Sequence, residues 1–368
     1  MEKSLRVAIV HDYLREYGGA ERVVESLHSL FPDAPLYTAF VDPDAMGSQW
    51  NRFKDWKIFE SIGARVPFIR TLFSPMRLFA AYFFESFDFS DFDVVITSTN
   101  MYMAKAIITT PKTLHICYCH TPPRSLYGYA TQTNWKKNPV VRVVGELINY
   151  HLRRIDFLTA MRPDILVANS KETQARITKF YKRDSVVIYP PVALKTLSPS
   201  TKNRSYYLYV NRLAFAKNPE LVVRMATAKH LPLKIVGSGA MESTLREIAG
   251  PTVEFLGSVQ DHVLAKLYAE AIAVLYPVKD EDFGIVPVES MLSGTPVIAH
   301  NSGGPKETII NNQTGILFDD LSENGLWQAI EKSKSTDWDY EQIRTHAEQF
   351  SEEKFKKNMI KLIEKHVD

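Results

Sequence analysis

Apolar residues fall in short, nearly continuous runs separated by longer stretches with helical spacing. Leu5-Arg-Val-Ala-Ile-Val10 is the first run, and after it Ala20, Val23, Val24, Leu27 and Leu30 recur at the three- and four-residue steps of an amphipathic helix. Ala34–Phe40, Val94–Thr97, Leu114–Cys119, Ile165–Ala168 and Val186–Tyr189 repeat the short-run pattern. Runs of this kind suit strands buried on both faces of a parallel sheet. Several end in polar residues: Ser98-Thr99-Asn100, His120-Thr121, Asn169-Ser170. The alternation predicts an α/β domain with these polar ends on one rim, the side on which such sheets bind ligands. Ser170 is placed to cap the helix that follows it. A second series runs through Tyr206–Asn211, Leu233–Val236, Val253–Leu256, Ala273–Tyr276 and Pro296–Ala299. Pro190-Pro191 and the polar stretch Ser198–Ser205 between the series read as a linker. The prediction is a doubly built α/β protein, with domains at 1–190 and 191–350, a cleft between them, and a last helix in 351–368. The two halves share no detectable sequence repeat.

Two segments depart from this pattern. Phe53–Phe92 interleaves rings with basic residues (Phe68, Arg70, Phe73, Arg77, Phe79, Tyr82, Phe83, Phe84, Phe87) and is mostly helical in spacing. Such a face either packs into the first domain's core or lies on an anionic bilayer surface. Val140–Arg154 sets Val140, Val144, Leu147, Ile148 and Leu152 on one face before Arg153-Arg154. Core packing is the plainer reading of both.

Composition narrows the class. With 368 residues, 45% hydrophobic and 23% charged, the chain reads as a soluble globular protein of about two domains. A net charge of +2 implies no strong affinity for polyanions such as nucleic acids. Cys117 and Cys119, two apart in one strand, face the same side and form neither a CxxC pair nor a metal set, so they read as buried thiols. The first residues hold no apolar leader, and no run reaches the roughly 20 apolar residues of a membrane span. The expectation is a cytoplasmic protein, working at the inner face of the plasma membrane if the aromatic segment binds lipid.

The densest chemistry lies at Glu281-Asp-Phe-Gly-Ile-Val-Pro-Val-Glu289, continuing through Ser-Met-Leu-Ser-Gly-Thr-Pro-Val-Ile-Ala-His300. Two carboxylates stand eight positions apart, around the turn Phe283-Gly284 and the start of a helix. Gly284, without Cβ, lets backbone amides approach a ligand, and a helix N-terminus offers unpaired N–H donors. Carboxylates beside open amides suit a polyhydroxylated ligand. Gly294 is a natural stop for that helix, with a buried strand after it. Arg212 and Lys217 follow the second series' first strand, and two cations there suit a diphosphate: a planar fork and a point charge. Gly18-Gly19 opens a helix after the first strand but does not make the three-glycine dinucleotide fingerprint, and neither does Gly237-Ser-Gly239. Asp280-Glu-Asp282 resembles a metal-binding triplet only superficially, and no metal is required.

The Glu281-to-Pro296 stretch resembles the Glu-x7-Glu motif of the retaining family 4 glycosyltransferases, with Asp282 where the family usually has Gly and with Ser290 and Ser293 at small-residue positions. The resemblance implies the GT-B fold: two Rossmann-like domains facing a cleft, the first binding acceptor and the second donor, with the last helix crossing back to the first. It implies a retaining hexosyltransferase whose Glu281, Phe283, Gly284, Ile285 and Glu289 bind the donor, Glu289 at the ribose and Glu281 at the sugar. It also implies that Arg212 and Lys217 hold the pyrophosphate, that Gly18 and Gly19 line the cleft, and that His120 reaches the reacting centre. Val259 then borders the base, and Ser302-Gly303-Gly304 with Glu307 faces the donor. The phrases His11-Asp-Tyr-Leu, Gly18-Gly-Ala-Glu-Arg-Val-Val24 and Tyr118-Cys-His-Thr-Pro-Pro-Arg124 resemble bacterial WbaZ-type mannosyltransferases of surface polysaccharide and lipopolysaccharide synthesis. That implies GDP-mannose as donor and a lipid-linked glycan as acceptor, with no cofactor besides the nucleotide sugar. A UDP-sugar-dependent transferase or epimerase of the same fold, a non-catalytic sugar-nucleotide scaffold and a Rossmann dehydrogenase are the alternatives.

Overall fold

The computed structural model describes residues 5–131, 137–192 and 204–367. Most of the stretch read as a linker, 198–203, lies outside the described residues. The chain divides into two compact units: Met1–Tyr129 with Trp135–Pro191 and Glu352–Asp368, and Ala130–Asn134 with Val192–Ser351.

The first unit is built on seven strands: β1 (Val7–His11), β2 (Leu36–Thr38), β3 (Ile58–Glu60), β4 (Val94–Thr99), β5 (Leu114–Cys119), β6 (Ile165–Ala168) and β7 (Val186–Val187). Their order is β3-β2-β1-β4-β5-β6-β7, and every pairing is parallel. Successive residues of β1 face opposite sides. Val7 and Ile9 join a core with Val23, Val24 and Leu27 of the Gly19–Leu30 helix and with Phe355, Met359, Leu362 and Ile363 of the Glu352–Glu364 helix. The chain's last helix thus belongs to the first unit, tied further by Ser26 Oγ donating to Glu352 at 2.6 Å. Ala8 and Val10 face the other layer, with Phe40, Phe83, Phe84, Phe89 and Tyr102.

That second layer answers the question of the aromatic segment in part. Phe83 and Phe84 are core, whereas Phe68, Phe79 and Tyr82 are exposed. The segment also contains β3, a strand where helical spacing is expected, because Ile58–Glu60 pairs along β2. The Pro139–Thr159 helix contradicts its core-packing expectation more plainly. Leu152 is buried and Ile148 half-buried, but Val140 is 71% exposed and Leu147 64%.

The second unit holds β8 (Tyr206–Val210), β9 (Leu233–Val236), β10 (Val253–Gly257), β11 (Ala271–Tyr276), β12 (Val297–His300) and β13 (Gly315–Phe318), in the order β10-β9-β8-β11-β12-β13, again all parallel. Apolar clusters fill both faces of this sheet. The helix Ile285–Leu292 follows β11, with Gly284 at its N-cap and buried residues along most of its length.

Candidate functional site

Polar residues gather at the carboxyl ends of the central strands in each unit. In the second unit Glu281 lies beyond β11. Its Oε2 receives Lys217 Nζ at 2.5 Å and Tyr276 O–H at 2.9 Å. Lys217 closes a short 3-10 turn, Phe215–Lys217, and Tyr209 fixes that turn by donating its O–H to the Lys217 carbonyl at 2.9 Å. Burial first, then the charge of Glu281, holds the Tyr276 phenol well above its ordinary pKa, so it remains a donor. Glu289, eight residues on and one turn into the Ile285–Leu292 helix, is 2% exposed and accepts from Tyr268 O–H at 2.9 Å. Arg212 is exposed on the loop after β8. The Gly237-Ser-Gly239 turn packs beneath that loop: a Cβ at Gly237 would stand 2.0 Å from the Asn211 carbonyl. Its glycines serve close packing under the loop that carries Arg212.

The Ser302-Gly303-Gly304 loop braces the acidic turn. Gly304 N–H donates to the Glu281 carbonyl at 2.8 Å, and Asp280 N–H to Ser302 Oγ at 2.8 Å. Phe283 is buried, Ile285 half-buried, and Val259 packs with Val286 on one apolar cluster of the unit. Lys217, Glu281, Phe283, Gly284, Ile285 and Glu289 are therefore brought together around one helix end, with Arg212 on the neighbouring loop.

In the first unit, strand register does the assembling. β1 pairs β4 with His11 opposite Ser98, and β4 pairs β5 with Thr99 opposite Cys119, so His120 comes next to both. His11 Nδ1 lies 3.1 Å from Ser98 Oγ, and the same Oγ lies 2.8 Å from His120 Nε2. His11 Nε2 lies 3.3 Å from Glu21 Oε1. Burial disfavours an imidazolium, but Glu21 against Nε2, with help from Asp12 and the Ser98 carbonyl, raises His11 above its ordinary pKa. Burial tends to raise Glu21, yet His11 outweighs it and lowers the carboxyl. His120 is pushed down to about 4, by burial first and by His11 second. The cluster is a buried His11–Glu21 pair in which each partner favours the other's charged form, beside a neutral His120.

Asp12 completes the cluster as a backbone clamp. Its Oδ2 accepts from the amides of Asn100, Met101 and Tyr102 at 2.7–2.8 Å, and its Oδ1 from the Ala104 amide at 2.9 Å and Thr99 Oγ1 at 3.2 Å. The polar loop after β4 is thus wound around one carboxylate. Gly18 and Gly19 open the Gly19–Leu30 helix, and the Gly18 amide donates to Glu21 at 2.8 Å. His11, Asp12 and Glu21 carry no assigned role in the sequence reading. Their signals are a strand ending His-Asp and a glutamate three places after a glycine N-cap. Among the described residues, no group of three or more His, Cys, Asp or Glu is placed to hold a metal ion.

Residues 195–356 match the family described as Glycosyl transferases group 1. This stretch is a group 1 glycosyltransferase domain. The glycosyltransferase is 25% identical to the alpha-1,3/1,6-mannosyltransferase ALG2 of Rhizomucor pusillus, over 96% of this chain and 89% of that one. It is 35% identical to a GDP-mannose-dependent alpha-mannosyltransferase of Mycolicibacterium smegmatis, over 34% of this chain and 32% of that protein. Its fold resembles Anabaena Alr3699/HepE in complex with UDP, with a TM-score of 0.72 at 17% identity, covering 98% of this chain and 100% of that one. It also resembles the lipopolysaccharide outer core galactosyltransferase WaaB, with a TM-score of 0.65 at 17% identity over 98% and 99% of the two chains. The fold is GT-B.

Proposed function

We propose that this glycosyltransferase moves a hexose, mannose from GDP-mannose, onto a hydroxyl of a lipid-linked glycan with retention at the anomeric carbon. The observation that carries the reading is the Lys217–Glu281–Tyr276 cluster at a glycine-capped helix end, with Glu289 one helical stretch away. Glu281 orients the sugar hydroxyls, and the Phe283-Gly284 backbone approaches the same sugar. Glu289 holds the ribose, and Arg212 and Lys217 offset the charge that grows on the departing diphosphate. These two cations supply that stabilisation without a metal. His120, Gly18 and Gly19 are the first unit's candidates for substrate contact, and Val259 borders the base. No side chain in this scheme acts as a nucleophile. The acceptor hydroxyl attacks the face the diphosphate leaves, and a diphosphate oxygen takes its proton.

Mannose is favoured because ALG2 and the Mycolicibacterium relative are both named mannosyltransferases, the latter GDP-mannose-dependent. A UDP-sugar donor is the second reading, since HepE was solved with UDP. Bacterial surface polysaccharide or lipopolysaccharide is the setting proposed for the acceptor. The exposed apolar residues of the Pro139–Thr159 helix and of Phe68, Phe79 and Tyr82 favour peripheral contact with an anionic membrane, where a lipid-linked acceptor resides.

Calorimetric titration with GDP, UDP and ADP, and then with the matching sugar nucleotides, tests the donor. GDP binding that disappears in Arg212→Ala is the expected result. Preference for UDP keeps the reaction class and removes mannose, and no binding of any nucleotide defeats the reading as a whole.

A further inference from the structure

The histidine cluster of the first unit is a chain of hydrogen bonds whose ends fix its protons. His11 Nδ1 lies 3.2 Å from the Ser98 carbonyl oxygen and 3.1 Å from Ser98 Oγ. A carbonyl can only accept, so His11 Nδ1 bears hydrogen. At the other edge of the ring, Nε2 faces the Glu21 carboxylate, also an acceptor, at 3.3 Å. Ser98 Oγ receives from His11 and has one O–H to give. The partner in reach is His120 Nε2, at 2.8 Å. That nitrogen accepts, which leaves the single proton of a neutral His120 ring on Nδ1. Among the described residues His120 Nδ1 has no hydrogen-bond partner, and it is not a sealed atom of the interior.

We propose that His11 and Ser98 are positioning residues that hold His120 as its neutral Nδ1–H tautomer, so that His120 meets the sugar substrate as a hydrogen-bond donor and not as a base. The inference rests on the reading of His120 as a substrate contact. Burial strengthens it: His11 is 2% exposed, Ser98 0% and His120 7%, so water does not compete for these protons. The opposite polarity, with Nε2–H on His120 donating to Ser98, leaves the Ser98 O–H with no acceptor among the described residues unless it turns to a bare His11 Nδ1. Its lone pair would then face the Ser98 carbonyl in a dry site, a buried unsatisfied acceptor pair. The pKa of about 4 at His120, set by burial and by His11, keeps the ring neutral at working pH. A ring held in this tautomer offers a substrate oxygen a proton to share and has no free lone pair with which to take one. Removal of the acceptor's proton is left to the departing diphosphate.

The test is long-range 15N–1H correlation spectroscopy on the full chain labelled with 15N-histidine at neutral pH, with the His120 signals assigned by their loss in His120→Asn. Expected are a protonated, pyrrole-type Nδ1 and an unprotonated, pyridine-type Nε2 on His120, and two protonated nitrogens on His11. A pyrrole-type Nε2 on His120 overturns the proposal. This measurement needs no substrate, so it stands apart from the fate of the glycosyl-transfer reading. Ser98→Ala should give mixed His120 tautomers and lower kcat about tenfold, the worth of one oriented hydrogen bond, with Ser98→Thr restoring both. Wild-type kcat in an alanine variant whose tautomers are mixed also overturns it. Should Ser98→Ala fail to fold, the wild-type spectrum still decides.

Discussion

Glu281 accepts from an ammonium and a phenol on the same oxygen, Lys217 at 2.5 Å and Tyr276 at 2.9 Å. A cation already paired with a carboxylate can shift to a diphosphate as that group gains charge, because Lys217 remains partly open while its partner is nearly buried, 28% against 13% exposed. Lys217→Ala should therefore lower kcat at least tenfold, about 1.4 kcal/mol of transition-state stabilisation, with the fold intact by circular dichroism. Lys217→Arg should keep part of the rate. Steady-state kinetics with the sugar nucleotide decide the matter, and near-normal turnover in the alanine variant removes Lys217 from the mechanism. The Glu281–Glu289 pair is legible in the sequence because both residues stand on one short local phrase. His11 is not, because what gives it a role is Ser98, 87 positions away, and only the β1–β4 register brings them together. Asp12 is hidden for the same reason: all its donors lie at the end of β4 or just after it.

At the scale of elements, the acidic turn is held in shape by a loop that has room only for glycine. Gly303 has φ +63°, and a Cβ there would stand 2.1 Å from the Glu281 carbonyl oxygen; one at Gly304 would stand 2.1 Å from that of Phe283. Gly303→Ala incurs left-handed strain of ~1–2 kcal/mol and a backbone clash besides. The expected outcome is a fall in melting temperature of roughly 4 °C or more, with weakened nucleotide binding as Glu281 is displaced. Thermal unfolding followed by calorimetry checks both, and a variant unchanged in either removes the loop's bracing role. The sequence placed a glycine pair at a strand end but gave no sign that its partner is the turn some twenty residues earlier. Strands were legible where both faces are buried, as at Leu114–Cys119, whose limits the structure reproduces. β3 was not, since its residues are half-buried or exposed and it owes its strand form to pairing with β2. Apolar spacing also misled on the Pro139–Thr159 helix, where periodicity marks a face but not what covers it.

For the molecule as a whole, that helix carries the proposal that the enzyme works at a membrane surface. Among the described residues no helix is long and apolar enough to cross a membrane. Val140, Val143, Val144 and Leu147 are each more than half exposed on the Pro139–Thr159 helix, next to the exposed Arg142. Phe68, Leu72, Phe79 and Tyr82 are exposed on a segment in which Arg65, Arg70 and Arg77 meet no acidic residue between Ser61 and Phe84. The two segments are neighbours: Ser125 accepts from Arg77 on its Oγ at 3.1 Å and from Asn149 on its carbonyl at 3.2 Å. Apolar side chains interleaved with arginines suit the headgroup layer of an anionic bilayer, where each cation contributes about 1 kcal/mol and each large side chain more as it leaves water. With a net charge of only +2, bulk charge does not drive such binding, so it must depend on this one surface. Val140→Glu with Leu147→Glu should abolish co-sedimentation with phosphatidylglycerol vesicles at low salt and leave nucleotide binding untouched. Binding should also weaken as salt is raised, though less than for a purely basic patch, because the apolar contribution is not screened. A wild-type protein that stays in the supernatant at low salt refutes membrane contact, and loss of nucleotide binding in the double variant would trace its effect to misfolding.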